Sequence, residues 1–249
     1  MAEGKWRKEK IKMAKEEKSL YKERVDGRKF DELRPISAKV GVVPNADGSA
    51  IFSQGDTIAI AAVYGPKIFH PKNQQNPEKG VLRVHYGMLS FSVGERIRPG
   101  LNRRSQEISK VTEWALNPVV MLDELPGTAV DVHINIIQAN AGTRCAGINA
   151  AAMALAHAGI PMKSMVSAVA VGKMDKTIVA DVNKEEEDFE EGEGATDMPM
   201  AYLSNSDKIS LLQLDGRIQT DKFKEALEAG KEACKKIFEI QKKALKEAE

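Results

Sequence analysis

The feature that most constrains the fold is a strand that runs directly into a helix rich in small residues. Residues 130–136, VDVHINI, alternate apolar and polar side chains, the period of a β-strand. Residues 145–159 read CAGINAAAMALAHAG, an alanine-rich run without proline that ends at a glycine, and this composition predicts a helix. Because its side chains are small, the helix can lie close to a sheet. The strand therefore delivers the short loop at residues 140–144 to a helix N-terminus.

That loop, NAGTR, combines a glycine, a hydroxyl and an arginine. The first turn of a helix has unpaired N–H groups and the positive end of the helix dipole, so it attracts anions. Gly142 lets an anion approach the backbone, and Arg144 can add a two-pronged charged contact. Phosphate is the expected ligand. The alternative is a plain strand-to-helix turn with a surface arginine, and these five residues alone favour neither reading.

Composition restricts the class of protein. The 249 residues fit one large domain or two small ones. With 42% hydrophobic residues, 29% charged residues and a net charge of +1, the chain is expected to be globular, and neither disordered nor embedded in a membrane. Its two cysteines, Cys145 and Cys234, lack metal-type spacing, which favours reduced thiols. The N-terminus has no apolar signal-peptide core, and no run of about 18 apolar residues occurs, so we expect a cytoplasmic protein.

The order of elements predicts an α+β fold of mixed sheets packed with helices. A hairpin is expected at residues 48–64, with its turn at residues 54–56 and a second strand, IAIAAV, buried on both faces. Ser105 is the expected N-cap of the first helix. From Thr220 onward, one apolar stripe predicts a long C-terminal helix whose last turns, KKALKEAE, fray into solvent. Strands and helices do not alternate regularly, as they would in a βαβ protein.

Basic residues concentrate in three segments. Residues 1–24 hold nine Lys or Arg against five Glu, which predicts a basic N-terminal arm at residues 1–23, helical in part, ahead of an ordered domain at residues 24–249. A loop at residues 65–80 carries Lys67, His70 and Lys72, and it is either an ordinary exposed loop or an RNA-facing one. A second loop, GERIRPGLNRR, brings Arg103 and Arg104 to the start of a helix, again a position that favours anions.

Acidic residues concentrate in one segment, KEEEDFEEGEGATD at residues 184–197. Most of it is expected to be a solvated loop. Asp197 differs, because it leads straight into the apolar strand MPMAYL. A carboxylate held at the start of a strand can be aimed at a substrate.

Several common catalytic motifs are absent from the sequence. It contains no GxxxxGK[ST], HExxH, CxxC or GxSxG, so NTPase, zinc-protease, zinc-finger and serine-hydrolase functions lose their usual support. The four histidines are scattered without ligand spacing. They are expected to be surface or core residues rather than catalytic bases.

Four motifs occur in an order that resembles a known family. They are RVDGRKFDELRPI at residues 24–36, RPGLNRR at 98–104, AGTR at 141–144 and TDMP at 196–199. Together they resemble the RNase PH family of phosphorolytic 3′-to-5′ exoribonucleases, and within it the catalytic ring subunits of the archaeal exosome. The resemblance extends from about Arg24 into the C-terminal helix and favours the anion-site reading. It implies an RNase PH-like fold and an enzyme that uses inorganic phosphate as co-substrate to release nucleoside 5′-diphosphates from RNA.

The resemblance also implies roles for individual residues. Phosphate would be held by Gly142, Thr143 and Arg144, and the phosphates at the RNA 3′ end by Arg103 and Arg104. A loop carrying Lys67, His70 and Lys72 would line the RNA path.

The catalytic carboxylate implied by the resemblance is Asp197. It would protonate the departing 3′ oxygen or hold Mg²⁺, and the sequence does not separate these roles. A second metal-binding carboxylate is expected six residues earlier, at Glu191, with Asp188 as the alternative. Asn140 stands where the family often has Asp, which leaves the role of that position open.

The partners implied by the resemblance are RNA, a catalytically silent paralogue in a six-membered ring, and RNA-binding cap proteins with S1 or KH domains. Two other readings keep the family: a self-sufficient homohexameric RNase PH that trims tRNA 3′ ends, and a non-catalytic RNA-binding ring subunit. A phosphate-binding metabolic enzyme is a third. It predicts no RNA affinity, whereas the arginine loops predict RNA affinity that falls steeply with salt.

Overall fold

The structure is a computed structural model, and it describes residues 20–248, apart from the side chain of Gln74. Within this range, nine β-strands form two sheets that pack with four α-helices. In chain order the elements are β1 (Ile36–Val40), β2 (Gly48–Gln54), β3 (Thr57–Ile68), β4 (Val81–Met88), α1 (Arg103–Leu116), β5 (Thr128–Gln138), α2 (Thr143–His157), β6 (Val166–Met174), β7 (Thr177–Ala180), α3 (Lys184–Glu187), β8 (Ala195–Leu203), β9 (Ile209–Leu212) and α4 (Thr220–Lys246). The predicted α+β class is confirmed.

The two sheets differ in topology. The first has five strands in the order β1-β2-β3-β5-β4, antiparallel except for the parallel pair β4 and β5. A parallel pair needs a crossover, and α1 supplies it between those two strands. The second sheet has four antiparallel strands in the order β7-β6-β8-β9. Helix α4 packs on β6 and β7 and also reaches β1 of the first sheet.

Helix α2 is the centre of the core. It packs on β2 and β3 of the first sheet and on β6 of the second, and it is buried on every side from Cys145 to Leu155. Its only polar side chain in that stretch, Asn149, exchanges two 2.8 Å hydrogen bonds with the backbone of Ala168 in β6. The small residues of α2 therefore let one helix join both sheets and direct its N-terminus to a defined place.

Most predicted elements are confirmed, but one strand was not predicted and three local expectations are wrong. Strand β1 was missed, although its residues, ISAKV, alternate apolar and polar side chains over five positions. The outer face of β3 is only half-buried, because none of the helices packs on that face of the sheet within the described range. Ser105 is not the N-cap of α1: Asn102 is, and its Oδ1 accepts a hydrogen bond from the Ser105 N–H at 2.7 Å. The C-terminal helix does not fray early, since Gln241 and Ala244 are still buried.

The ends of the chain are described only in part. Residues 1–19 of the predicted basic arm lie outside the described residues, so the arm stays a prediction. The Tyr21 side chain is already packed against the body of the protein, with a 2.7 Å hydrogen bond from its hydroxyl to Glu186 Oε1. Over residues 20–248, none of the helices has the length and apolar character that crossing a bilayer requires.

The contact between β2 and α2 gives a test of the fold. A Cβ added to Gly48 would lie 2.4 Å from both the Ala154 carbonyl oxygen and the Ala158 nitrogen of the backbone. We expect Gly48→Ala to lower the free energy of unfolding by about 1–3 kcal/mol or more, because the helix must move away from the sheet. Chemical denaturation measures the loss. The control is Gly94→Ala, where an added Cβ meets nothing within 4 Å; equal effects of the two substitutions would contradict the close approach.

Candidate active site

A cleft of about 370 Å³ opens where the N-termini of α1 and α2 face the start of β8. Its walls come from α1, the loop before α2, α3, β8 and the turn after β9. The lining residues are Arg104, Asn140, Gly142, Thr143, Arg144, Lys184, Glu187, Asp188, Ala195, Asp197, Pro199, Asp215 and Gly216. The cleft thus brings together the predicted phosphate-site residues Gly142, Thr143 and Arg144 and the predicted catalytic carboxylate Asp197. More than fifty residues separate the two groups along the chain.

The basic side of the cleft is the N-terminus of α2. Gly142 is its N-cap, with a left-handed φ of 70°, a conformation that glycine adopts without strain. Gly142 has no side chain that could cap the helix, so the first turn presents backbone N–H groups and the helix dipole to a ligand. The Arg104 side chain, from the first turn of α1, lines the opposite wall.

The Arg144 guanidinium is oriented by two neighbours. Its Nη1 donates to Gln213 Oε1, just after β9, and lies 3.9 Å from Glu107 Oε1 on α1. Gln213 Nε2 in turn donates to Glu107 at 3.3 Å. An arginine has five N–H donors, so these contacts hold the group in place and leave donors for a phosphate.

The acidic side of the cleft is centred on Asp197, the third residue of β8. Its backbone is held by two hydrogen bonds to Asp215, at 2.9 and 2.8 Å, while its buried Oδ1 has no hydrogen-bond partner in the described part of the chain. The pKa of Asp197 is raised to about 6: burial contributes most, Glu187 and Asp215 add to the rise, and Arg144 acts in the opposite direction. This carboxyl group therefore has a free acceptor atom and changes charge near neutral pH.

The loop before α2 is held from behind by buried polar contacts. Thr57 Oγ1 donates to the Ala141 carbonyl at 2.8 Å, and Arg34 Nη2 donates to the same oxygen at 3.3 Å. Arg34 is itself fixed by a buried ion pair with Asp181, with Nη2 2.6 Å from Oδ1. These contacts hold the anion-binding loop in position from its inner side.

A second buried ion pair holds the acidic segment. Arg24 binds Glu186 through two 2.8 Å contacts and also donates to the carbonyl oxygens of Ala180 and Asp181. Glu186 lies in α3, next to the cleft residue Glu187. The arginines of the RVDGRKFDELRPI motif therefore support the cleft from below and do not line it.

Asn140, whose role the sequence left open, connects the anion loop to the acidic segment through its side chain. Its Oδ1 accepts hydrogen bonds from the N–H groups of Ala141, at 2.8 Å, and Lys184, at 2.9 Å. Lys184 is the first residue of α3, so this amide oxygen ties the anion loop to the acidic segment. Sequence reasoning missed Lys184 and Glu187 as cleft residues; the capping pair Asn183 and Glu186 was the signal for the short helix that carries them.

The structure distinguishes the two residues that the sequence offered as a second metal-binding carboxylate. Glu191 is exposed and does not line the cleft, whereas Asp188 does. The reason is the packing of the acidic segment: the Phe189 ring contacts Tyr21 edge-to-face at 5.3 Å, and the following turn is tied to Asp175 through the Glu193 N–H. None of residues 190–194 lines the cleft. Of the two carboxylates considered from the sequence, the structure brings only Asp188 into the cleft.

The other predicted RNA contacts lie outside this cleft. Arg103 is exposed beside it but is not among the lining residues. Lys67 lies ten residues after Thr57 along β3, so about 30 Å of strand separates the two. There Lys67 Nζ pairs with Asp131 at 2.6 Å, and His70 and Lys72 are exposed nearby in the chain. These four residues stay predicted RNA contacts.

Family models match both halves of this structure. Residues 32–161 match the 3′ exoribonuclease family, domain 1, and residues 164–233 match domain 2 of the same family, whose models are those of RNase PH. The chain belongs to the RNase PH family of 3′ exoribonucleases. The resemblance expected from four short motifs is confirmed, and with it the RNase PH-like fold.

Relatives of this RNase PH-family chain include archaeal exosome proteins. It is 51% identical over 224 residues to the exosome complex component Rrp41 of Thermococcus kodakarensis, covering 90% of this chain and 88% of the relative. It is 49% identical over 222 residues to the Rrp41 of Nitrosopumilus maritimus, covering 89% of each. These findings confirm the predicted similarity to archaeal exosome subunits.

Two solved structures share the fold. Rice Rrp46 superposes with a TM-score of 0.80 and 26% identity, covering 90% of this chain and 100% of that one. A chain of the Archaeoglobus fulgidus exosome with RNA bound to the active site superposes with a TM-score of 0.73, at 23% identity, covering 87% of this chain and 92% of the other. The second likeness shows the fold alone.

The buried ion pair behind the anion loop gives a stability test. Arg34→Met removes the nearest partner of the buried Asp181 and leaves it only Arg28, whose Nη1 lies 3.6 Å from Oδ2, so we expect a loss of up to about 3–5 kcal/mol in the free energy of unfolding. The double variant Arg34→Met, Asp181→Leu should lose less than the single variant, because the incompletely paired buried carboxylate is gone. The control Lys110→Met, which breaks an exposed pair with Glu113, should cost about 1 kcal/mol or less. A double variant as unstable as the sum of its singles would contradict this account.

The raised pKa of Asp197 gives a pH test. In the folded chain its pKa is about 6, against 3.8 for an unperturbed Asp, so between these values the folded state binds more protons than the unfolded state. Stability from this group is therefore present at low pH and is lost as pH rises through about 6. Relative to Asp197→Asn, the wild-type chain should lose stability between about pH 4 and about pH 6, the window set by these two pKa values, and denaturation curves at a series of pH values measure the loss. If the stabilities of the two proteins changed with pH in parallel, the pKa of Asp197 would not be raised in the folded chain.

Proposed function

We propose that this chain is a phosphorolytic 3′-to-5′ exoribonuclease and the catalytic subunit of an archaeal-type exosome ring. The observation that carries the proposal is the cleft itself, where an uncapped helix N-terminus with two arginines faces a carboxyl group of pKa about 6. The sequence similarity to archaeal exosome components supports it.

The basic side of the cleft would bind the two phosphate groups that must meet. Inorganic phosphate would lie at the α2 N-terminus, held by the backbone at Gly142 and by Thr143 and Arg144. Arg104, with Arg103 beside it, would hold the phosphates at the RNA 3′ end. Bringing an anion to a polyanion is opposed by charge repulsion, and preorganised guanidinium groups offset that repulsion and hold the attack in line.

The reaction would be a direct displacement at phosphorus. An oxygen of inorganic phosphate forms a bond to the phosphorus of the last phosphodiester, and the bond from that phosphorus to the 3′ oxygen of the preceding nucleotide breaks. The products are a nucleoside 5′-diphosphate and an RNA one nucleotide shorter, whose 3′ oxygen takes up a proton. This reaction needs no protein nucleophile, and the transferred group goes to phosphate rather than to water, which makes it a nucleotidyl transfer and not a hydrolysis.

Asp197 would act mainly as a carboxylate at neutral pH. With a pKa of about 6 it is mostly ionised at pH 7, which favours metal binding over proton donation, although its small neutral fraction could protonate the leaving 3′ oxygen. The residues present fit Mg²⁺: Asp197 has a free Oδ1, and Glu187 and Asp188 line the same cleft. Mg²⁺ commonly uses one or two protein carboxylates and completes its shell with phosphate oxygens and water.

The protein by itself would supply only a few of the ligands of a bound Mg²⁺. Among residues 20–248, no group of three or more His, Cys, Asp or Glu side chains is arranged to hold a metal ion. Asp197 with Asp188, rather than with Glu191, would provide the protein ligands. When bound, Mg²⁺ would stabilise negative charge on the leaving oxygen.

The partners follow from the same proposal. The relatives carry the name of exosome components, so we propose assembly with a catalytically silent paralogue into a six-membered ring, with S1- or KH-type proteins as RNA-binding caps. RNA would pass Lys67, His70 and Lys72 before it reaches the cleft. The expected location of such an assembly is the cytoplasm.

A product assay tests the proposal. The purified chain, alone and with its ring paralogue, is incubated with a 3′-tailed RNA and Mg²⁺, with and without inorganic phosphate, and the released nucleotides are identified. We expect nucleoside diphosphates only with phosphate, and a loss of at least about a hundredfold in rate for Asp197→Ala and Arg144→Met. Lys222→Met, which removes a positive charge from the exposed side of α4, is the matched control and should keep full activity.

The outcomes separate the competing functions. A requirement for the paralogue supports an exosome subunit, and full activity of the chain alone supports a self-sufficient RNase PH. Nucleoside monophosphates would indicate a hydrolase. RNA binding without products, even with the paralogue, would indicate a silent ring subunit, and absence of RNA binding would indicate a metabolic enzyme; each of these three outcomes contradicts the proposed function.

A further inference from the structure

Gln213, the residue directly after β9, lies beside the cleft and is not among its lining residues. Its backbone is fixed against β8, because its N–H donates to the Pro199 carbonyl at 3.0 Å. Two residues later, Asp215 exchanges two backbone hydrogen bonds with Asp197. The half-buried Gln213 side chain therefore begins from a defined place on the strand that also holds the acidic side of the cleft.

The Gln213 amide bridges an arginine and a glutamate. Its Oε1 accepts a hydrogen bond from Arg144 Nη1, and its Nε2 donates to Glu107 Oε1 of α1 at 3.3 Å. Arg144 Nη1 and Glu107 Oε1 are themselves 3.9 Å apart. An arginine and a carboxylate that pair directly commonly make two parallel contacts of about 2.7–2.9 Å, so these two groups are held short of a direct ion pair.

A direct pair between Arg144 and Glu107 would weaken the proposed phosphate site. It would bring a negative charge against the guanidinium group that must attract an anion, and it would use N–H donors that phosphate needs. The Glu107 side chain is 49% exposed, so it has room to turn toward Arg144 if nothing holds the two apart. The contact that separates them therefore bears on anion binding.

We infer that Gln213 is a positioning residue of the phosphate site, whose amide keeps Arg144 and Glu107 from forming a direct ion pair and so leaves the guanidinium group available to phosphate. An amide suits this place, because its oxygen accepts from the arginine while its nitrogen donates to the glutamate. Gln213 acts through Arg144 and does not itself line the cleft. The inference rests on the proposed phosphate site and adds a residue outside the four sequence motifs.

Gln213→Met tests this role, since it keeps the length of the side chain and removes both polar atoms. We expect the KM for phosphate to rise about 3- to 10-fold, the effect of one lost hydrogen bond, with little change in the KM for RNA. The thermal midpoint without phosphate should change little, because the side chain is only half-buried. The rise of the midpoint on adding phosphate to the full chain should shrink. Gln219→Met makes the same change at the exposed N-cap of α4, where the side chain caps no N–H group, and should leave all these values unchanged.

A second substitution separates this role from a merely structural one. Glu107→Gln removes the charge with which Arg144 would pair, so in the Gln213→Met background it should bring the KM for phosphate back toward the wild-type value. Packing lost at residue 213 would not be restored by a change on α1. Glu113→Gln, the same change at a glutamate of α1 that pairs with Lys110, is the control and should give no rescue.

Gln213→Glu gives an independent test if the first variant is too unstable to assay. Its carboxylate would lie where the amide oxygen lies and would pair with Arg144, so the KM for phosphate should again rise. Here Glu107→Gln should give little rescue, because the competing negative charge is now at residue 213.

The outcomes distinguish this inference from the proposed function. Variants of Gln213 whose response to phosphate equals that of the wild type would overturn the inference, and so would a Gln213→Met, Glu107→Gln chain as impaired as Gln213→Met alone. Either result would leave the proposed phosphate site standing. A wild-type chain that neither binds nor uses phosphate, alone or with its ring paralogue, would overturn both.

Discussion

The cleft between α1, α2 and β8 depends on the burial of two arginine–carboxylate pairs beneath it. Arg34 with Asp181 and Arg24 with Glu186 join residues 24–34 to the residue that follows β7 and to α3. A charge buried without a partner is costly, so both pairs are satisfied only when these distant segments meet. Through Ala141 and Glu187, the same contacts position the anion loop and the acidic segment on opposite sides of one cleft.

The two sides of the cleft are complementary in charge. The α1 and α2 N-termini and their arginines suit phosphate groups, while burial near other carboxylates raises the pKa of Asp197 toward neutrality. The proposed phosphorolysis would need both properties: cations to bring phosphate to the RNA, and a carboxyl group whose charge changes easily or is neutralised by a metal. The basic side is placed on two helices and Asp197 on a strand of the second sheet, and such regular elements position side chains more precisely than loops do.

The close packing of α2 makes this placement possible. Its small side chains and the absence of a side chain on Gly48 let the helix approach the first sheet, and Asn149 ties it to the second. Because the helix has no freedom to slide, the N–H groups at Thr143 and Arg144 point to one place.

The sequence by itself determined the strand–loop–helix unit, the hairpin, the long C-terminal helix and the family, because these depend on local periodicity, on capping residues and on short motifs. It also placed Gly142, Arg144, Arg104 and Asp197 at the ends of helices and strands, where polar groups face solvent or a ligand. Tertiary structure decided what those ends face. The choice of Asp188 over Glu191 depends on how Phe189 packs against Tyr21, and the roles of Arg24, Arg34 and Asn140 depend on contacts across more than forty residues. Burial and long-range pairing have no local signal, which is why only the folded chain shows them.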